Sequence, residues 1–489
     1  MHNKNSENSH PEIHDAEISI GMACLPLVTM VILFALGTVY TDIDSGLLIL
    51  VMLGAAAVAT LVAHRVGKTW EDVQRSTGEK FAAVLPAILI LLSIGMLIGT
   101  WVVSGTIPFL VYYGLKIVDP SYLVVTAFLA TATMSICTGT SWGSAGTIGV
   151  ALMGMATALE APMGAMAGAV VSGAYFGDKL SPLSDSTNIC VIGAGTDLYS
   201  HIRHMLYTAI PSFVIATFVY AAVEVPADSD PLGANGLMTD LETIYSLSPI
   251  VLLPLVVVII GIISKTPPVI AMAASSATAA LIGMWLQEFS LESALLSGVQ
   301  GFDASMLDDK QLVPASFGED ALSLLNRGGL YSMVNTLLVI IAAFLLAGAM
   351  DVSGALDRLI GRLLAAVQST FGLIAATMAA GSTMISLTSH GGVTALIVGE
   401  LFQKAYDERG LARVNLSRSL EDSVTIVEPL MPWTVSAVYM ATTLGVPTLD
   451  YAPWAIFCIG GSVFSLLYAA TFDRLGIGLK RCPLPLKQS

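Results

Sequence analysis

Apolar runs close to the roughly 20 residues that cross a bilayer as an α-helix recur along the whole chain, as at Ile20–Tyr40, Leu47–Ala63, Tyr207–Ala222 and Ser332–Met350. We count roughly ten to twelve such runs. Over 489 residues, 55% are hydrophobic and 12% charged, about half the charge of an ordinary soluble domain. This excludes a soluble fold and leads to the expectation of an all-α polytopic membrane protein with roughly 10–12 transmembrane helices.

The first residues, Met1–Glu17, are polar and lack the positive flank and small-residue cleavage site of a secretory signal, so the first apolar run is expected to remain as a helix. No appended soluble domain is expected. The five cysteines, Cys24, Cys137, Cys190, Cys458 and Cys482, are scattered without CxxC spacing and are read as buried small hydrophobes. No Gly-rich loop ending in Lys and Ser/Thr appears, which argues against ATP-driven transport by this chain.

The net charge of −15 acquires meaning only once the charges are placed. Lys and Arg in short connections mark the cytoplasmic side. The segment His64–Lys80 holds Arg65, Lys68, Arg75 and Lys80 and is expected inside. So are Lys265, the Arg358/Arg362 segment, the Lys404–Arg418 loop and the tail with Arg474, Lys480 and Arg481. The connection Glu224–Glu242, with Asp228, Asp230 and Asp240, and the largely acidic Gln287–Gly329 belong outside. The expected organisation is a cytoplasmic tail 1–19, a first transmembrane repeat 20–224, an external linker 225–246, a second repeat 247–475 including an external loop 287–329, and a cytoplasmic tail 476–489. The location implied is the cytoplasmic (inner) membrane, crossed many times, with both termini in the cytoplasm.

Two internal echoes support the division into repeats. Val103-Ser104-Gly105 matches Val352-Ser353-Gly354, and Thr140-Ser141-Trp142-Gly143 matches Thr388-Ser389-His390-Gly391, at offsets of 249 and 248. The first Val-Ser-Gly falls at an outer helix end and the second at an inner one, as two inverted repeats require; such a fold carries its site near the midplane, on broken or re-entrant segments.

Thr138–Thr147 sets hydroxyls and glycines between apolar runs. Unwound backbone inside a membrane must be buried in protein or face a water-filled cavity, where its carbonyls can coordinate a cation. Close helix packing through small residues is the alternative. Gly177–Asn188 surrounds Pro182 with Asp178, Asp185, Ser184, Ser186, Thr187 and Asn188. Sodium is a hard cation that takes oxygen ligands, and a carboxylate among them can hold sodium or a proton but not both fully. Asp178 could instead neutralise Lys179; Asp185, with no basic neighbour, is the stronger candidate. In the second half, Asp422 is the preferred partner of Asp185, Glu421 reads equally as a helix cap or a ligand, and Glu428 lies deep enough to be protonated, paired or functional. His390, at a break between Thr388-Ser389 and Gly391-Gly392, could relay protons or be a neutral packed histidine.

Across most of its length the sequence resembles the NhaC-type sodium/proton antiporter family, within a wider group of secondary transporters that also includes malate/lactate exchangers and sodium-coupled amino-acid carriers. The resemblance rests on TGTSWGSAGTIGVALMG at Thr138–Gly154, GAYFGDKLSPLSDSTN at Gly173–Asn188 and SRSLEDS at Ser417–Ser423. It implies exchange without a bound cofactor, an inverted-repeat helical fold and ion-binding carboxylates at Asp178, Asp185 and Asp422. The chain departs from the family pattern at His390-Gly391, where an acidic residue and Gln are usual. It departs again at Glu428 and Thr434, where a small polar residue and Asn are usual. A carboxylate relocated to Glu428 could compensate for the one absent at His390.

The leading expectation is alternating access, with Thr140, Ser141, Ser184, Thr187 and Asn188 joining the carboxylates around sodium. The second is a sodium-coupled transporter or exchanger of a small organic acid or amino acid. An intramembrane enzyme finds no paired metal-ligand histidines and no Gly-x-Ser-x-Gly elbow to rest on. The partners expected are Na+, H+, the lipid bilayer, an organic solute in the second reading and a second copy of the chain as a homodimer, with no cofactor, no resident metal and no nucleic acid.

Overall fold

The structure, a computed structural model, describes residues 18–40, 45–225, 231–365, 367 and 369–482. Residues 1–17 of the expected N-terminal tail, Asp228 and Asp230 of the linker, and 483–489 of the C-terminal tail lie outside the described residues. Among the described residues every regular element is helical, apart from an isolated bridge between Leu411 and Arg481. Among the described residues nine helices are long and apolar enough to span a bilayer, or ten if the pair 235–244 and 249–261, bent by 94°, is one span.

The first half contains α1 (Ile20–Tyr40), α2 (Ser45–Arg65), α3 (Trp70–Val103), α4 (Thr106–Ile117), α5 (Leu123–Thr138), α6 (141–158), α7 (Met163–Leu180), α8 (Asp185–Ala194) and α9 (Leu198–Ala221). After α10 (Pro231–Ile244) the second half contains α11 (Leu253–Ile263), α12 (Pro268–Trp285), α13 (Leu291–Val299), α14 (Glu319–Leu325), α15 (Val334–Val352) and α16 (Ala355–Ala365). It closes with α17 (Thr370–Thr388), α18 (Gly391–Glu408), α19 (Arg413–Leu420, continued by a π-turn Glu421–Thr425), α20 (Val435–Leu444) and α21 (Ile456–Leu475).

Two segments expected as loops are ordered. Most of His64–Lys80 belongs to the start of α3, where Thr69 and Asp72 form a reciprocal capping box that turns a charged stretch into a helix end. The 287–329 segment packs on α3: Gly329 N–H donates to Gly95 O at 2.6 Å, and a Cβ on Gly99 would stand 1.9 Å from Ser297 O.

The halves repeat one another in backbone detail. α3 and α15 both end on Val-Ser-Gly, with the glycine left-handed (φ 80° at Gly105, 70° at Gly354). α5 breaks at Gly139 (φ 68°, ψ 25°) and Thr140 (φ −144°, ψ 123°); α17 breaks at Ser389 (φ 57°, ψ 11°) and His390 (φ −141°, ψ 118°). Thr140 and His390 cap the next helix by accepting from Gly143 N–H at 3.2 Å and Val393 N–H at 3.5 Å. Thr138 pairs with Ser144, and Thr388 with Thr394. The equivalent of Thr140 is therefore His390, not Thr388. The expected match at offset 248 slips by two, because a four-residue echo of Thr, Ser and Gly can slide along a hydroxyl-rich break. The α7–α8 and α19–α20 breaks follow suit: Ser184 and Thr434 cap the second half-helices, which end on left-handed Gly195 and Gly445.

α17 and α18 form a helical hairpin, with the Thr377 and Tyr406 hydroxyls on its two arms 3.1 Å apart. α6 runs parallel to α20, with Trp142 stacked on Tyr439 at 4.4 Å near their starts and Gly149 against Leu444 further along. α18 runs parallel to α8, with Gly392 against Ile189 and Gly399 against Gly193. Because α6 turns back beside α7, placing Gly149 against Val170, while α8 continues beyond the end of α7, the two pairs leave the centre in opposite directions.

Candidate functional site

Where the four breaks meet there is a cavity of about 560 Å³. Its wall includes Thr138–Gly143 before and within α6, Pro182–Ser186 less Ser184 at the start of α8, His390–Gly392 at the start of α18, and Glu428 and Ser436 flanking the start of α20. Four helix N-termini thus face one space. Each presents N–H groups lacking intrahelical acceptors and the positive end of a peptide dipole, an arrangement that holds carboxylates in place without a neighbouring base.

Two buried carboxylates line it. Asp178, at the end of α7, is buried and accepts from Ser141 Oγ at 3.0 Å and Ser186 Oγ at 3.4 Å. In the repeat register its counterpart is Glu428, also buried. Glu428 faces Gly391 N–H and the N–H and hydroxyl of Ser436, the counterparts of Ser141 and Ser186. Its Oε2 would stand 2.6 Å from a Cβ on Gly391, which places the carboxylate at the His390 break. Tyr175 and Thr425, themselves a repeat-related pair, also line the cavity.

The remaining expected residues divide. Thr140 and Ser141 line the cavity, and Asp185 does so from an exposed position at the first turn of α8. His390 also lines it; because Nδ1 accepts from Val393 N–H, a neutral ring carries its proton on Nε2. Ser184, Thr187 and Asn188 brace the break. Ser184 Oγ accepts from Thr187 N–H, Thr187 donates to the Asp178 and Lys179 carbonyls at 3.2 and 3.3 Å, and Asn188 donates to those of Pro182 and Ser184.

Asp422 is not brought to Asp185. It is fully buried and ion-paired to Lys179, with Arg418 Nε at 3.9 Å and the Thr208 hydroxyl at 3.3 Å. Adjacent residues on a helix point about 100° apart, so α7 aims Asp178 into the cavity and Lys179 away from it. Asp178 therefore does not neutralise Lys179; Asp422 does. Arg418, expected in a cytoplasmic loop, is wholly buried and donates to Gly478 O. Of the cysteines, Cys190 and Cys458 are buried as expected, whereas Cys137 and Cys482 are exposed.

Sequence reading passed over Ser436, Tyr175 and Thr425. The signal that finds them is the corrected offset of 250, which pairs Ser436 with Ser186.

A sequence model described as the Na+/H+ antiporter family matches residues 12–187 and 173–471. An uncharacterized Na+/H+ antiporter of Haemophilus influenzae is 45% identical over 93% of this chain and 96% of its own length. The Na+/H+ antiporter NhaC of Alkalihalophilus pseudofirmus is 35% identical over 85% of this chain and 87% of its own length. The malate-2H+/Na+-lactate antiporter of Bacillus subtilis is 31% identical over 85% and 88%, respectively.

Proposed function

Because this chain belongs to the Na+/H+ antiporter family, we propose that it exchanges sodium for protons across the cytoplasmic membrane by alternating access. The observation that carries this reading is the repeat-related pair Asp178 and Glu428, each buried and each set against half-helix N-termini. With Asp178, Glu428 and Asp185 on the wall against a single lysine and no arginine there among the described residues, Lys265, the cavity favours a cation over an organic dianion. Sodium takes carboxylate and hydroxyl oxygens from Asp178, Glu428, Ser141, Thr140 and Ser436, with Asp185 at the approach. A proton arriving at either buried carboxylate removes the charge that held the ion.

In this reading 20–224 and 247–475 are the two inverted repeats, the described ends of the chain face the cytoplasm, and the Lys265–Pro268 turn on the cavity wall marks a site open to that side. Exchange of an organic acid is the second reading, supported by the malate/lactate relative and by a cavity larger than a sodium ion needs.

The test is purified protein in liposomes with an imposed pH gradient, read by a pH-sensitive dye as sodium, potassium, or sodium with malate or amino acids is added. Dequenching by sodium alone, lost in both Asp178→Asn and Glu428→Gln, supports sodium/proton exchange. A signal that requires the organic solute moves the second reading into first place.

A further inference from the structure

Behind Thr425, away from the cavity, lies a cluster of ionisable side chains that the cavity mechanism leaves unused. Arg418, Glu421 and Asp422 come from α19 and its π-turn, Lys179 from α7, Cys190 from α8, His201 and His204 from α9, and Tyr406 from α18; all are buried. Tyr468 of α21 closes the far side beneath the Arg418 guanidinium. α17, which also packs on the π-turn, carries no titratable residue.

Within this cluster Asp422 has two cations about it, Lys179 and Arg418. Among the described residues Glu421 has no hydrogen-bonded cation: its Oε2 accepts the Thr425 hydroxyl, while its Oε1 has no hydrogen-bond partner. His201 Nε2 likewise has none and lies 4.0 Å from that Oε1, about 1 Å beyond a hydrogen bond. The Ser417 hydroxyl donates to Val414 O at 3.1 Å and stands 2.7 Å from His201 Nδ1. That hydroxyl is therefore free to accept the Nδ1 proton, which leaves the Nε2 lone pair turned toward Glu421.

We propose that Glu421 carries a proton of the exchange cycle, passed to it by His201 and sensed in the cavity through Thr425 and the Lys179–Asp422 pair. The inference rests on the sodium/proton reading above. In the transfer, the Nε2–H bond of a transient imidazolium breaks and an Oε1–H bond forms, so the ring returns to neutral as the carboxylate becomes a carboxylic acid. His201 sits in the first turn of α9, just past exposed Asp197, which gives the relay a short path to water.

The sign of the coupling follows from the charges. With Glu421 ionised, two cations face two anions; with Glu421 protonated, the cluster holds one uncompensated positive charge. Lys179 adjoins Asp178 in the chain, and at low effective dielectric that excess charge opposes a sodium ion in the cavity. Proton uptake at Glu421 thus promotes sodium release, and sodium binding expels the proton by the reciprocal linkage.

The experiment measures protons released per sodium bound by the purified full-length protein in weakly buffered detergent solution, with sodium chloride against choline chloride. E421Q is expected to bind sodium while releasing about one proton fewer, with an apparent sodium affinity correspondingly less dependent on pH. Release equal to the wild type overturns the assignment of Glu421. No release from the wild type removes the sodium/proton reading instead. If E421Q does not fold, E421D retains a titrating acid one methylene further from His201. Its proton release should keep the wild-type number and move along the pH axis; an unmoved profile also overturns the assignment.

Discussion

At the scale of residues, Asp178 and Asp422 show why carboxylates in similar motifs have dissimilar work. Asp178 is held by hydroxyls at the wall of a cavity, so amide replacement leaves no cation stranded. Asp422 compensates Lys179 and Arg418 in a wholly buried setting, and breaking a buried pair by removing one partner costs about 3–5 kcal/mol. Asp178→Asn should therefore abolish sodium-driven proton movement while keeping the wild-type melting temperature in detergent. Asp422→Asn should lower that temperature markedly. A thermal-shift series on both variants beside the flux assay checks this; a stable, inactive Asp422→Asn would return Asp422 to the ion path. Sequence supplied both carboxylates as candidates but could not say which faced which, because that depends on how α7 is rotated against α19. It left Glu428 open for the same reason: its neighbour Gly391 lies 37 positions away in the chain and meets it only through the breaks.

At the scale of elements, the breaks themselves were legible. Gly, Pro and hydroxyl residues inside apolar runs cannot continue a lipid-facing helix, and all four interruptions occur where such residues cluster. Their register was not legible, since the equivalent positions hold Gly139-Thr140 in one half and Ser389-His390 in the other; conformation is shared where residue type is not. This asymmetry can be tested. Gly139 is left-handed, and a Cβ there would meet Leu183 Cβ at 2.7 Å. Gly139→Ala therefore combines a conformational cost of roughly 1–2 kcal/mol with a clash in the α7–α8 break, and should reduce both stability and transport. Ser389 already bears a side chain in that region (φ 57°). Ser389→Gly should relieve the strain and leave the melting temperature equal or slightly raised. Thermal unfolding of the two single variants gives the comparison, and equal losses would refute it.

At the scale of the whole molecule, α20 connects two cavities. Its first turn supplies Ser436 to the cavity of about 560 Å³ that also touches Thr266. Its far end supplies Thr442, Thr443 and Gly445 to a second cavity of about 840 Å³, whose wall includes Ser290, Asp303, Asn326 and Arg327. The six-residue step from Ser436 to Thr442 along α20 separates them by about 9 Å of helix. If the acidic 287–329 segment faces outward and Lys265 inward, the carboxylate pair in this conformation is reached from the cytoplasm, and the outer cavity stops one half-helix short of it. A cysteine-free background carrying Thr266→Cys should react with a membrane-impermeant thiol reagent in inside-out vesicles and resist it in right-side-out ones. Thr443→Cys should show the converse. Sodium added on the cytoplasmic side, by favouring the loaded and reorienting state, should slow labelling at Thr266→Cys and hasten it at Thr443→Cys. Labelling of both positions from one side would refute the assigned orientation. Correct sidedness without any response to sodium would instead leave the orientation standing and remove alternating access between these two cavities.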